Sequence, residues 1–172
     1  DVVKKGYTLF IDFGMMDPET KMPADLQRCY FFPDPDNDAE TERVLKMFEL
    51  QRRAKLAGIN QMIPDSNGYK VDKAGREIVT DAGYPEFSHA FGHTLSVGSV
   101  HGIGPLAGPL VPRYGDRPLR KLEADMVLTA EPSVIDPEGR QGRISVEDDV
   151  LITPNGPEIL NKSQRSLTLF SD

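Results

Sequence analysis

Five residues, Asp12, Asp25, His93, Glu131 and Glu147, constrain this chain more than any other feature. Four are carboxylates and one is an imidazole, and each lies in or beside a segment with the pattern of a β-strand or a tight turn. Carboxylates that face one another repel, and they are costly to bury unless a cation neutralises them. If the fold brings the five together, they form a site for two divalent cations. Such a site makes a hydrolytic nucleophile from bound water near neutral pH.

The sequence pattern predicts a mixed α+β fold. Residues 7–13 and 26–32 have the pattern of two strands of a hairpin, with a turn over residues 15–23 and with Asp12 and Asp25 on the two arms. Helices are predicted over residues 39–58 and 71–82, with Gly58 and Gly83 as their stops. Further strands are predicted at 126–135 and 144–153, followed by a hairpin return at 158–160.

All three histidines lie in a segment rich in glycine and proline, residues 88–118, which lacks periodicity. Long irregular segments inside a compact domain are usually functional or disordered. His89 and His93 are four residues apart, as in helical zinc proteases, but those enzymes need a glutamate directly after the first histidine. Ala90 occupies that position, which rejects that mechanism.

Each acidic residue also has a simpler explanation. Asp12 could cap a strand end, and Asp25 could pair with Arg28. Glu131 could face water from an edge strand, and the run that begins at Glu147 could be a solvated acidic turn. Strand alternation places Glu147 and Asp149 on one face.

Composition excludes several classes of function. The 172 residues amount to about one domain, and the net charge of −7 argues against nucleic acid and against an anionic membrane surface as partners. No apolar run approaches the ~20 residues of a spanning helix. Cys29 is the only cysteine, so we expect a reducing cytoplasmic location. The first residue is Asp1, which suggests a chain that begins inside a longer protein.

Taken in order, five segments resemble the pita-bread metallopeptidase superfamily of methionine aminopeptidases, Xaa-Pro aminopeptidases and prolidases. The matching stretches are Phe10-Ile11-Asp12-Phe13-Gly14, Ala24-Asp25-Leu26-Gln27-Arg28, Phe91-Gly92-His93, Val127-Leu128-Thr129-Ala130-Glu131-Pro132 and Val146-Glu147-Asp148-Asp149-Val150-Leu151-Ile152-Thr153. The resemblance implies a curved antiparallel sheet with flanking helices. It also implies that residues 1–172 form the C-terminal part of one catalytic domain, whose first αβ repeat is missing.

The resemblance also implies a role for each candidate residue. Asp12 would bind one ion, Asp25 and Glu147 would bridge both, and His93 and Glu131 would bind the other. Glu131 would also be the general base. His101 matches the histidine that steadies the tetrahedral intermediate, and His89 matches one that faces the substrate.

Some positions depart from the family pattern. Asp12 and Asp25 are thirteen residues apart, two more than the family's usual spacing, and Ser145 stands where many Xaa-Pro enzymes carry an arginine. These departures leave the metal ligands intact but leave the substrate open.

The expected function is that of an Xaa-Pro aminopeptidase or dipeptidase with two divalent ions, with Mn²⁺ ranked ahead of Co²⁺, Zn²⁺ and Fe²⁺. Two alternatives stay open: a lyase or amidinohydrolase acting on a small non-peptide substrate, and a non-catalytic peptide-binding domain. Because half of a pita-bread domain exposes apolar strand edges, we expect a homo-oligomer or association with a missing N-terminal segment.

Overall fold

The computed structural model describes residues 2–170. Over this range the chain forms nine strands, two α-helices and two short 3-10 turns. The strands are β1 (Tyr7–Met16), β2 (Pro23–Phe32), β3 (Thr94–Leu95), β4 (Val127–Ala130), β5 (Ser133–Ile135), β6 (Arg143–Ser145), β7 (Asp148–Thr153), β8 (Gly156–Ile159) and β9 (Thr168–Leu169). The helices are α1 (Asp38–Ile59) and α2 (Gly68–Asp81), and the 3-10 turns are Pro112–Tyr114 and Arg117–Leu119.

The predicted first hairpin is confirmed, but its strands are longer than expected. The antiparallel ladder of β1 and β2 continues past Gly14 until Met16 pairs with Pro23. The predicted strand end at Gly14 and the predicted turn over residues 15–23 are therefore wrong. The turn is confined to the residues between the strands, where the Asp17 carboxylate accepts hydrogen bonds from the backbone of Glu19 and Thr20.

Each of the two long strands predicted after residue 125 is divided in two. Residues 126–135 break at Glu131 and Pro132, between β4 and β5, and residues 144–153 break at Val146 and Glu147, between β6 and β7. Proline has no N–H to donate to a ladder, which accounts for the first break. The buried Gln51 amide on α1 donates to the carbonyls of Pro132 and Val146, at 2.9 Å each, so one side chain serves both breaks.

Hydrogen bonding groups the strands into three sheets with the orders β1-β2-β9, β3-β4-β7-β8 and β5-β6. The pairs are antiparallel except β2 with β9, which run parallel. An isolated antiparallel bridge between Gln27 and Glu147 links the first sheet to the break before β7. The first and second sheets therefore meet where the acidic residues lie.

Both predicted helices are confirmed, with ends shifted by a few residues. The side chain of Asn37 caps α1 and that of Asn67 caps α2, so α2 begins at Gly68 and not at Val71. Over residues 2–170, neither helix combines the length and apolar character needed to cross a bilayer.

One aromatic ring fixes how the two helices meet the irregular segment. Phe91 is fully buried. A Cβ atom added at Gly58 would lie 2.2 Å from the Phe91 ring, and one added at Gly75 would lie 2.4 Å from it. The ring thus fills a notch that exists because one glycine on each helix lacks a side chain. Phe91 is two residues from His93, so this packing also sets the position of the histidine.

Candidate metal centre

The first hairpin supplies two of the candidate ligands from one face. Asp12 pairs with Gln27 across the ladder, and Asp25 lies two residues before Gln27 on the same strand. Residues directly opposite and residues two apart share a face of a sheet. Asp12 and Asp25 therefore point to the same side, where Asp12 is exposed and Asp25 is half-buried.

The two strand breaks supply the glutamates. The backbone N–H of Glu131 donates to the carbonyl of Phe91 at 2.8 Å. The backbone N–H of Glu147 donates to the carbonyl of Gln27 at 3.2 Å. Neither glutamate belongs to a regular strand, and this frees its side chain from strict strand alternation so that it can turn into the site.

His93 is held by its backbone and by one ring nitrogen. Its N–H donates to Thr129 Oγ1 at 3.1 Å, and Nδ1 lies 3.3 Å from the carbonyl oxygen of Thr94. Nε2 points at the carboxylates. It lies 3.6 Å from Asp25 Oδ2, 3.6 Å from Glu131 Oε1 and 3.9 Å from Glu147 Oε1. A neutral imidazole held in this way offers Nε2 to a cation.

All five predicted ligands meet in one cavity. Three groups of three have their ligand atoms within 4.8 Å of one another: Asp25 with His93 and His101, His93 with Glu131 and Glu147, and Asp12 with Asp25 and Glu147. The last two groups contain only predicted ligands. Glu147 belongs to both groups, which is the arrangement a bridging carboxylate requires. The cavity holds about 390 Å³. Its lining combines the five ligands with Gly14, Gln27, Val100 and His101.

Burial and neighbouring charges shift the pKa values of the residues in this cavity. Burial raises the pKa of Glu147 to about 10, helped by the charges of Glu131 and Asp25. Burial likewise raises the pKa of Glu131 to about 7. The pKa of His93 is lowered, also mainly by burial, which favours the neutral ring that a metal needs.

Glu147 tests whether the residues suit a cation. Its side chain is 1% exposed, yet neither of its carboxylate oxygens has a hydrogen-bond partner among residues 2–170. Buried polar atoms are almost always satisfied, so an orphaned carboxylate among other acids needs a positive partner. Carboxylate oxygens with one imidazole nitrogen are a suitable ligand set for divalent first-row metals. The residues therefore fit a metal ion.

The two other predicted site residues differ in position. The His101 ring lies 4.7 Å from the His93 ring, centroid to centroid, at the exposed mouth of the cavity. His89 is not part of the cavity lining. Its Nδ1 lies 2.7 Å from the Ala90 carbonyl and its Nε2 lies 2.8 Å from Ser133 Oγ. The substrate-facing role of His89 stays a prediction.

The simpler explanation for Asp25 finds no support in the contacts of residues 2–170. Arg28 Nη1 instead donates to the backbone carbonyl of Glu147 at 2.7 Å and lies 3.5 Å from the Asp148 carboxylate. Asp148 also accepts from the buried ammonium of Lys55, whose side chain is 1% exposed. Asp149 follows Asp148 on β7 and so faces the opposite side of that strand. Its Oδ2 accepts a hydrogen bond from the backbone N–H of Asp25 at 3.3 Å.

Sequence reasoning missed Gln27, which lies within the site. Its side-chain nitrogen is 2.9 Å from Glu131 Oε2 and 3.4 Å from Asp12 Oδ2. The signal was present, because strand alternation puts Gln27 on the face of Asp25. The cost of burying a charge singles out the four acids in the sequence, but it does not apply to a neutral amide such as Gln27.

With this geometry in hand, comparison with known proteins gives the family. The model of metallopeptidase family M24 matches residues 1–154. The chain therefore belongs to metallopeptidase family M24.

Among curated relatives, the Xaa-Pro dipeptidase of Pyrococcus horikoshii is 28% identical over 166 residues, which is 96% of this chain and 42% of the relative. An uncharacterized peptidase of Staphylococcus haemolyticus is 31% identical over 159 residues, 92% of this chain and 40% of the relative. This chain thus spans about two-fifths of the length of these relatives.

Solved structures support the fold. The prolidase of Thermococcus sibiricus has a TM-score of 0.80 at 24% identity, covering 98% of this chain and 41% of that one. The methionine aminopeptidase of Rickettsia prowazekii has a TM-score of 0.62 at 15% identity, with 88% and 63% coverage. The predicted pita-bread α+β fold is confirmed.

Proposed function

We propose that this chain carries the metal centre of an Xaa-Pro aminopeptidase or dipeptidase that depends on two divalent ions. The observation that carries the proposal is the pair of three-residue ligand groups that share Glu147, a buried carboxylate that no group in the described part of the chain hydrogen-bonds. The named relatives favour a peptide substrate that contains proline.

The ligands divide between two ion positions as the resemblance implies. Asp12 would hold one ion, His93 and Glu131 would hold the other, and Asp25 and Glu147 would serve both. Four carboxylates with one imidazole suit Mn²⁺ better than a metal that prefers thiolates, so Mn²⁺ is ranked ahead of Co²⁺, Zn²⁺ and Fe²⁺. When bound, such a pair of ions lowers the pKa of water and polarises a carbonyl.

The surrounding side chains handle protons and charge. The resemblance implies that Glu131 is also the general base, which takes up a proton from water and returns it. The resemblance implies that His101, whose ring lies beside that of His93, donates to the oxygen of a substrate carbonyl as negative charge develops there. His89 is assigned a substrate-facing role from the resemblance alone.

Strand β1 has apolar side chains that are exposed in this structure. Ile11, Phe13 and Met15 on this strand are 39%, 42% and 73% exposed. β1 is also an edge strand in the order β1-β2-β9, and an exposed strand edge tends to pair with another chain segment. We propose that residues 1–172 are the C-terminal part of a single catalytic domain and that an N-terminal segment or a second copy covers β1.

A reducing cytoplasm is the proposed compartment, where the buried Cys29 thiol would stay reduced.

The test combines metal analysis with peptide hydrolysis. The purified protein is analysed for bound metal and assayed on an X-Pro dipeptide and a matched X-Ala dipeptide, with and without a chelator. We expect two ions per chain and X-Pro cleavage that is lost in chelator and restored by Mn²⁺. Full activity in chelator would refute the metal mechanism. Turnover of small non-peptide compounds alone would support a lyase or amidinohydrolase instead.

A further inference from the structure

Gln27 contacts two of the candidate ligands at once. It is buried on β2, with 4% exposure. Its single amide nitrogen lies 2.9 Å from Glu131 Oε2 and 3.4 Å from Asp12 Oδ2. An amide nitrogen carries two protons, so it can donate one to each carboxylate. In the proposed arrangement, Glu131 and Asp12 belong to different ion positions, and Gln27 is therefore a physical link between them.

Ser145 determines which end of the Gln27 amide faces the acids. The Ser145 hydroxyl is buried and donates to Gln27 Oε1 at 2.7 Å. In the opposite orientation, Oε1 would face two carboxylate oxygens and repel them, and the serine would be the only favourable partner of the NH₂ group. Electrostatics and hydrogen bonding thus agree on one orientation.

This contact leaves one oxygen of Glu131 directed into the site. Oε2 is bound to Gln27, while Oε1 lies 3.6 Å from His93 Nε2, where the ligand atoms converge. A lysine or arginine at position 27 would hold the same carboxylates more strongly but would repel cations. A neutral donor orients the acids without adding positive charge, which suits a residue that supports metal ligands.

We propose that Gln27, oriented by Ser145, is a positioning residue that holds one carboxylate of each ion position and so strengthens the binding of both ions. This inference rests on the proposed function. Loss of a hydrogen-bonded neighbour of a metal ligand typically lowers metal affinity about 10- to 100-fold.

The test is calorimetric titration of Mn²⁺ into the metal-free protein and two variants. Gln27→Met keeps the length of the side chain but removes both donors. Gln164→Met is the matched control, because Gln164 binds the backbone of Cys29 on the same strand, through both its oxygen and its nitrogen, at 3.0 and 2.6 Å. We expect Gln27→Met to bind both ions at least about 10-fold more weakly, while Gln164→Met binds them as the unmodified protein does.

Thermal unfolding of the metal-free proteins separates positioning from folding. A merely structural role for Gln27 would lower the melting temperature of Gln27→Met and leave its Mn²⁺ affinity unchanged. Affinity of Gln27→Met within about twofold of the unmodified protein would overturn the inference, since the expected loss is about 10-fold or more. If the unmodified protein binds two ions in that experiment, the proposed function survives. If the unmodified protein binds none, both proposals fail.

Ser145→Ala decides the matter if Gln27→Met does not fold. This variant removes one hydroxyl and leaves the Gln27 amide in place, without the hydrogen bond that holds its oxygen. We expect Mn²⁺ affinity to fall about three- to tenfold, the equivalent of one ordinary hydrogen bond. Unchanged affinity in Ser145→Ala would refute the orienting role.

Discussion

Replacing Glu147 by glutamine should stabilise the metal-free protein at high pH and destabilise it in the presence of metal. Glu147 has a pKa raised to about 10 from the ordinary 4.5. Between these values the folded chain keeps a proton that the unfolded chain releases. The free energy of unfolding therefore falls as pH rises, by about 1.4 kcal/mol per pH unit from this group.

The size of the effect follows from the pKa difference. At about pH 8 the Glu147 carboxyl lies roughly 3.5 pH units above its unfolded value, which corresponds to about 5 kcal/mol. Because Glu131 interacts with Glu147 and shares the cost, we expect Glu147→Gln to recover about 2–5 kcal/mol. That corresponds to a melting temperature higher by about 5–20 °C in a chain of this size. Near about pH 5 the two proteins should differ by less than about 1 kcal/mol.

Calorimetry in chelator at several pH values, repeated with excess Mn²⁺, measures these quantities. With Mn²⁺ present the order should reverse, because glutamine cannot serve as an anionic ligand to two ions. Glu158→Gln, an exposed position on β8, is the control and should change nothing. If Glu147→Gln is no more stable than the unmodified protein in chelator at high pH, burial and the neighbouring charges do not raise the pKa of Glu147 as described.

Two further substitutions test the site from other directions. His101→Ala should lower kcat for an X-Pro peptide about 100- to 1000-fold while the chain still binds two Mn²⁺ ions, as steady-state kinetics and metal analysis would show; an unchanged kcat would remove His101 from the mechanism. Gly92→Ala should destabilise the protein by more than about 3 kcal/mol in urea unfolding, because its Cβ would lie 1.9 Å from the Thr129 carbonyl oxygen; a normal denaturation midpoint would contradict that packing.

Periodicity alone predicted much of the fold. The hairpin of β1 and β2 and both helices follow from apolar spacing, although α1 continues past its predicted stop at Gly58 and ends at Ile59. The breaks at Glu131 and Glu147 did not, because the apolar pattern continues across them. The stabilising partner, Gln51, lies more than 80 residues away along the chain and is invisible to local rules.

The site was predictable to the extent that its chemistry is charged. Acids in apolar strands stand out because burying them is costly, and all five candidate ligands lie in one cavity. The neutral residues that contact the candidate ligands were not predicted from the sequence. Gln27 and Ser145 carry no charge, and their role depends on distances across 118 residues of sequence separation. His89 is a titratable residue that was predicted to lie in the site, but it contacts Ser133 and does not line the cavity. Its position depends on tertiary packing, which the local sequence does not reveal.

The Phe91 ring seated between Gly58 and Gly75 has a practical consequence for anyone engineering this protein. Glycine-to-alanine exchange within helices is a routine recipe for heat resistance. Here a methyl group on either helix would collide with that ring and push the loop that carries His93. A substitution made for heat resistance would therefore weaken the proposed metal site.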